Sequence, residues 1–251
     1  MNIKNNQSVL FILPLFLAIV SIVAIFVWGL KPGIDLAGGS MLQVSYDERP
    51  SVEKVNEVVQ KLEYGEVRVQ YSNDTDFILR QKELNAEEKQ ALLDTLGTLG
   101  TMREVQFNSV GPSIGHEIVQ KSWWAIVLVS LSIISFIAFA FRHVSKPIAS
   151  WKYGVVAIVT LIHDILIPTG LFAYLGYARG AEVGVFFIVA ILTTLGISIN
   201  DTIVVFDRIR EDSRLMPNAP RGEVINRAIN ETLSRTIMTS LTVFLTILIL
   251  F

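Results

Sequence analysis

Apolar and polar positions divide the chain into three regimes. Residues 5–30 carry no charge, residues 31–121 mix charges with short apolar periods, and residues 122–251 return to long apolar runs. The first run follows Lys4 and ends in Trp28-Gly29-Leu30-Lys31, an interfacial aromatic followed by a charge. It is longer than the apolar core of a signal peptide, about 7–15 residues, so the pattern predicts an uncleaved transmembrane helix. Four further spans are expected. Residues 122–141 open on Trp123-Trp124, residues 153–175 contain His163-Asp164, residues 184–206 form the fourth, and residues 236–251 are still apolar where the sequence stops. That last run is short for a span, so the chain reads as ending inside a helix.

The polar stretch 31–121 has the size of a domain and its own periodicity. Met41 to Ser45 alternate as a strand does. Ser51 opens a helix with Val52, Val55, Val58, Val59 and Leu62 on one face. Val67 to Tyr71 and Phe77 to Arg80 are two strands around a Ser72-Asn73-Asp74 turn. Asn85 with Glu88 makes a capping box for a second helix, with Leu92, Leu93, Leu96 and Leu99 on its apolar face. Met102 to Val110 is the last strand. The order βαββαβ is ferredoxin-like. The expected fold class is therefore an α-helical polytopic membrane protein carrying an extracytoplasmic α+β domain. Its parts are 1–30 (amino-terminus and helix one), 31–121 (the ferredoxin-like domain) and 122–251 (helices two to five).

Between the spans the polar segments are short. Arg142, His143, Lys146 and Lys152 make a basic loop, and residues 178–183 a turn. Residues 207–235 are charged, contain Pro217 and Pro220, and carry Val224, Ile225, Ala228, Ile229 and Leu233 on one face of an amphipathic, interfacial helix. The Lys/Arg bias of alternate loops puts the amino-terminus and the 207–235 segment in the cytoplasm and residues 31–121 outside.

Composition narrows the chemistry. The chain is 51% apolar and 18% charged, with a mean hydropathy of +0.51, too apolar for a soluble domain. No cysteine and three dispersed histidines leave no thiolate chemistry and no metal-ligand spacing. No G-x-x-x-x-G-K-[ST] occurs, so nucleotide-driven work is not built in. No cofactor, enzymatic activity or nucleic-acid partner is expected. Gly111-Pro112-Ser113-Ile114-Gly115 matches G-x-S-x-G, but a span follows at once where a hydrolase needs an α/β sheet, so it reads as a linker.

The remaining candidates are charges inside spans. Asp201 is the only charge in residues 183–206. A carboxylate at such depth costs roughly 2.5–3.5 kcal/mol on insertion scales and marks ion or proton pathways. Arg235 begins the last run, at a depth similar to that of Asp201 on a consecutive antiparallel helix. An ion pair between them would offset both desolvation costs, although Arg235 could equally snorkel to the interface. Asp164 lies near mid-membrane beside His163, and Asn200 could donate to either carboxylate. Gly170, Gly196 and Ser198 permit close helix packing.

Gly33-Ile34-Asp35-Leu36-Ala37-Gly38-Gly39 resembles the G-x-D-[FL]-x-G-G motif of the SecF-type chains in the SecD/SecF family of protein-export membrane proteins. Val110-Gly111-Pro112-Ser113-Ile114-Gly115 is similar to that family's V-G-P-x-[IV]-G. His163-Asp164, the run Asn200 to Glu211 with Asp207 and Arg208, and Ser234-Arg235-Thr236 match further family motifs. The resemblance implies six spans in a resistance-nodulation-division type fold. It implies a SecD-like partner, a SecYEG-type translocon, a translocating preprotein and the use of the proton gradient. Asp201 and Arg235 would be relay residues, with Asp164, His163 and Asn200 beside them. Two rivals share parts of this pattern, half of a small-molecule or lipid exporter of the same superfamily and a non-transporting translocon scaffold.

Overall fold

The computed structural model describes residues 7–250 apart from 49, 63, 66, 73, 74 and 141–149. The Ser72-Asn73-Asp74 turn, the Arg142-His143-Lys146 loop and Lys4 therefore fall wholly or partly outside the described residues. The chain divides into two compact units.

One unit comprises residues 31–125 with 182–188. Its strands are β1 (Gly39–Tyr46), β2 (Arg68–Tyr71), β3 (Asp76–Gln81) and β4 (Met102–Val110). They form an antiparallel sheet in the order β2-β3-β1-β4, the ferredoxin-like arrangement. Helices α3 (Val52–Gln60) and α4 (Ala86–Gly97) cover one face. Because strand side chains alternate, Leu42, Val44, Phe77 and Leu79 all point that way, into Val55, Val59, Leu92 and Leu96. Tyr46, 2% exposed, donates its hydroxyl to the Leu96 carbonyl at 3.0 Å, and burial pushes its pKa up to about 12. The helix starts are where capping chemistry puts them. Lys54 N–H donates to Ser51 Oγ, while Asn85 and Glu88 exchange both bonds of the capping box, at 2.8 and 3.0 Å. A single-turn helix α2 (Ile34–Ala37) precedes β1.

The other unit comprises residues 1–30, 126–181 and 189–251. Its helices are α1 (Gln7–Trp28), α5 (Pro112–Ala140), α6 (Ser150–Arg179), α7 (Val185–Leu215) and α8 (Arg221–Leu250). The first turns of α5 and α7 are grouped with the sheet. All five are long and apolar enough to cross a membrane. Ile137, Tyr153, Ala157, Leu161, Leu195, Ile199 and Phe206 form the common core of α5, α6 and α7.

Two expectations change. The 111–115 linker is already helix, because α5 begins at Pro112: a proline is tolerated at the first helical position, where its missing N–H has no intrahelical partner. The 207–235 segment is not a separate interfacial helix. Its first part extends α7 to Leu215, and its second part is continuous with the last span as α8. Nothing between Glu223 and Leu250 interrupts helical hydrogen bonding, as no glycine or proline occurs there.

Helices α1 and α6 meet along a regular seam. Pro14 faces His163, Ser21 faces Gly170 and Trp28 stacks on Tyr177, with ring centroids 5.3 Å apart. Each pair has the same offset of 149 (163 − 14, 170 − 21, 177 − 28), so the helices run parallel with contacts every seven residues. At the centre a Cβ on Gly170 would lie 2.4 Å from both Ser21 Cα and Cβ, so only a hydrogen fits.

Candidate functional site

Asp164 has one partner on a neighbouring helix and one on its own. Ser198 Oγ on α7 donates to its Oδ2, and His163 Nδ1 lies 3.2 Å from its Oδ1. The other ring nitrogen, His163 Nε2, is 3.3 Å from the Pro14 carbonyl on α1. Pro168, one turn beyond Asp164, supplies no N–H to the Asp164 backbone carbonyl, which loosens the helix at that point. Both nitrogens of His163 thus face oxygens that accept. A neutral imidazole has one N–H and one lone pair. A neutral ring therefore donates to one of these oxygens at a time, and the tautomer decides which.

Asp201 and Arg235 form no ion pair with each other among the described residues, so the pairing that their depth suggests is absent. Depth fixes a residue's height on a helix but not the direction it faces. Asp201 is half-buried and has no hydrogen-bond partner among the described residues. Asn200 is exposed and reaches neither carboxylate. Arg235 is exposed and lines a cavity of about 590 Å³ with Asp207, Arg208, Arg210, Glu211 and Glu231.

Arg208 and Glu231 of that lining belong to an ion-pair network. Asp212 is fully buried, with Arg208 Nε at 3.5 Å and Arg227 Nε at 3.8 Å. Glu231 on α8 takes Arg227 Nε at 2.8 Å and pairs also with Arg208. Among the described residues Asp207 pairs with Arg210 alone, at 3.3 Å. The network joins α7 to α8, and its signal was the i,i+4 spacing of Arg208 with Asp212 and of Arg227 with Glu231.

The glycine motifs are structural. Gly38 (φ 77°) and Gly39 (φ 131°) adopt backbone conformations that favour glycine. A Cβ on Gly38 would sit 2.7 Å from Pro112 Cα, and one on Gly115 would sit 2.8 Å from Gly38 N. The two motifs therefore pack backbone to backbone, α2 against the start of α5. Gly111 precedes that start, with the Glu83 carboxylate 3.4 Å from where its Cβ would be.

The same motif holds the turn before α7. Gly33 N–H donates to the Val183 carbonyl (2.9 Å) and Val183 N–H to the Lys31 carbonyl (2.8 Å), around a Pro32–Val183 bridge. The Asp35 carboxylate accepts from Val185 N–H at 3.5 Å. Arg80 Nε approaches Glu182 Oε2 to 2.9 Å, an ion pair without a well-aligned hydrogen bond. Burial pushes the Glu182 carboxyl above the usual carboxylate range, and Arg80, Arg68 and Lys31 only partly offset it, with Asp35 adding to the rise. No cluster of metal-ligating residues occurs among the described residues.

The comparisons agree with this architecture. Residues 89–251 match the family model "Protein export membrane protein SecD/SecF, C-terminal", and residues 23–48 match "SecD/SecF GG Motif". A protein translocase subunit SecF of Thermobaculum terrenum is 36% identical, over 96% of this chain and 79% of its own. Another, of Sebaldella termitidis, is 32% identical over 98% and 78%. The crystal structure of SecDF from Thermus thermophilus, a translocon-associated membrane protein, matches with a TM-score of 0.83 at 30% identity. That match covers 99% of this chain and 33% of the SecDF chain, so this chain spans about a third of it.

Proposed function

From the premise that this chain belongs to the SecD/SecF family of protein-export membrane proteins, we propose that it is an auxiliary subunit of the Sec export machinery. It works with a SecD-like partner beside a SecYEG-type translocon and draws on the proton gradient to move preproteins outward. Its amino-terminus lies in the cytoplasm and residues 31–121 lie outside, as the basic loops suggest.

The observation that carries the gradient reading is the Asp164 cluster. Ser198 and His163 contact the Asp164 carboxylate, and the Pro14 carbonyl lies against the other His163 nitrogen, so groups that can exchange a proton join three apolar helices. Asp201 lies three residues beyond Ser198 on α7, close to one turn, and is the second carboxylate on the proposed route. Arg235, at the mouth of the charged cavity, is the cation that meets it when α7 and α8 shift. One charge crossing 100 mV supplies about 2.3 kcal/mol, within the usual coupling between two conformations.

The test is export into vesicles containing the full-length protein and its partner, with and without an imposed proton gradient. Asp201→Asn and Asp164→Asn are each expected to abolish the gradient-dependent part of export while assembly is retained. Gradient dependence close to that of the unchanged protein in both variants would refute the reading and leave the scaffold role.

A further inference from the structure

We infer that Asp35 is a positioning residue that fastens the first turn of α7, the helix that further along carries Ser198 and Asp201, within the sheet unit. The inference rests on the proposed relay and goes beyond it by naming what holds the start of the relay helix.

The turn joining α6 to α7 is not a free loop. Residues 182–188 are grouped with the sheet unit, although both helices belong chiefly to the other. Three independent contacts hold it. Two backbone hydrogen bonds, of 2.9 and 2.8 Å, tie Val183 to Gly33 and Lys31 in a short parallel bridge. Arg80, on β3, reaches Glu182 at 2.9 Å. Asp35, on α2, meets the Val185 N–H of the first α7 turn. A carboxylate there also sits at the positive end of the helix dipole.

Gly184 is part of the device. A Cβ at that position would lie 2.8 Å from Asp35 Oδ2, so the carboxylate can approach the helix start only while residue 184 is glycine. Gly33 is also constrained, because a Cβ there would come within 3.3 Å of the Glu182 carboxylate. Gly33 and Gly184 thus clear space for the strap, and Asp35 closes it. From Val185 to Asp201 is 16 residues of one continuous helix (201 − 185), about 24 Å at 1.5 Å per residue.

The chain contains no cysteine, so a single engineered pair can be read cleanly. The experiment uses the full-length protein with its partner in vesicles, with two readouts. One is hydrogen exchange at residues 185–188 without a gradient, and the other is gradient-driven export. Asp35→Ala is expected to speed exchange at 185–188 by roughly fivefold, the usual consequence of losing a helix cap, and to lower gradient-driven export. Asp35→Asn, which still caps, should behave nearly as the unchanged protein. Gly184→Ala should reproduce Asp35→Ala, and the double variant should be no worse than either alone.

Oxidised Pro32→Cys/Val183→Cys should export normally, and adding it to Asp35→Ala should restore export until a reductant is applied. Three results would overturn the inference: export blocked by the disulfide alone, no rescue of Asp35→Ala by it, or unchanged export with faster exchange. Asp201→Asn, run alongside, separates the two readings. Its loss of gradient dependence with normal export in Asp35→Ala sinks the strap alone. Gradient dependence surviving in Asp201→Asn and Asp164→Asn sinks the relay, whereas the exchange and rescue results still judge the fastening.

Discussion

Replacing Gly170 with alanine puts a methyl carbon into the α1–α6 seam at its tightest point. That carbon would stand 2.4 Å from Ser21 Cα and Cβ, whereas ordinary contact begins near 3.4 Å, so the helices must separate by about 1 Å (3.4 − 2.4). Two effects then oppose each other. Alanine is the better helix former, by about 1 kcal/mol over glycine. Overpacking a close contact costs roughly 1–3 kcal/mol. Because the clash includes backbone that cannot rotate away, the second effect should win, with a net loss of up to about 2 kcal/mol. The damage should also travel. His163 lies seven residues away on the same face, and a 1 Å separation would carry its 3.3 Å contact with Pro14 beyond hydrogen-bonding distance. Thermal unfolding of the full chain in detergent gives the first number, and the imidazole nitrogen shifts of His163 give the second. Ser21→Gly in the same chain should restore only part of the loss, since Ser21 Cα remains. A Gly170→Ala protein as stable as the unchanged one, with unaltered His163 shifts, would refute the seam.

Two further predictions concern charge. Asp212→Ala removes the buried one of the two carboxylates that Arg208 and Arg227 share and leaves them Glu231. It should cost roughly 1–3 kcal/mol, less than a fully buried pair because Arg227 is 46% exposed, and chemical unfolding of the full chain measures it. Glu182 is held above the ordinary carboxylate range, so its contribution to stability is complete below that range and is lost as pH rises through the raised value. Glu182→Gln stays neutral. Its unfolding temperature should therefore gain on that of the unchanged chain as pH increases across this window; a constant difference would refute the assignment.

The sheet unit was legible because its signals are local. A strand alternates every second residue, a capping box needs positions 85 and 88, and four antiparallel strands with two helices have few ways to cover one face. The spans were legible from length. Rotation was not. Asp201 and Arg235 share a depth, yet depth leaves the facing direction of each helix open, and no pair forms. Ser198 read as a small packing residue, whereas it hydrogen-bonds Asp164 across two helices. The contact of Asp35 with Val185 was not legible, because the two are 150 residues apart. The start of α5 at Pro112 was hidden by residues that favour turns and helix starts alike.

The length of α7 carries a mechanical consequence. Its 31 residues make a rod of about 46 Å, against a hydrocarbon layer of about 30 Å. It is held near one end by Asp35 and near the other by the Arg208–Asp212–Arg227–Glu231 cluster. A rod gripped at one end is a lever, and a small push at its root becomes a large swing at its tip. A rod gripped at both ends is a beam. Load applied in mid-span, where Ser198 and Asp201 sit, bows it slightly and is delivered as force at the two supports. α7 should therefore trade travel for force.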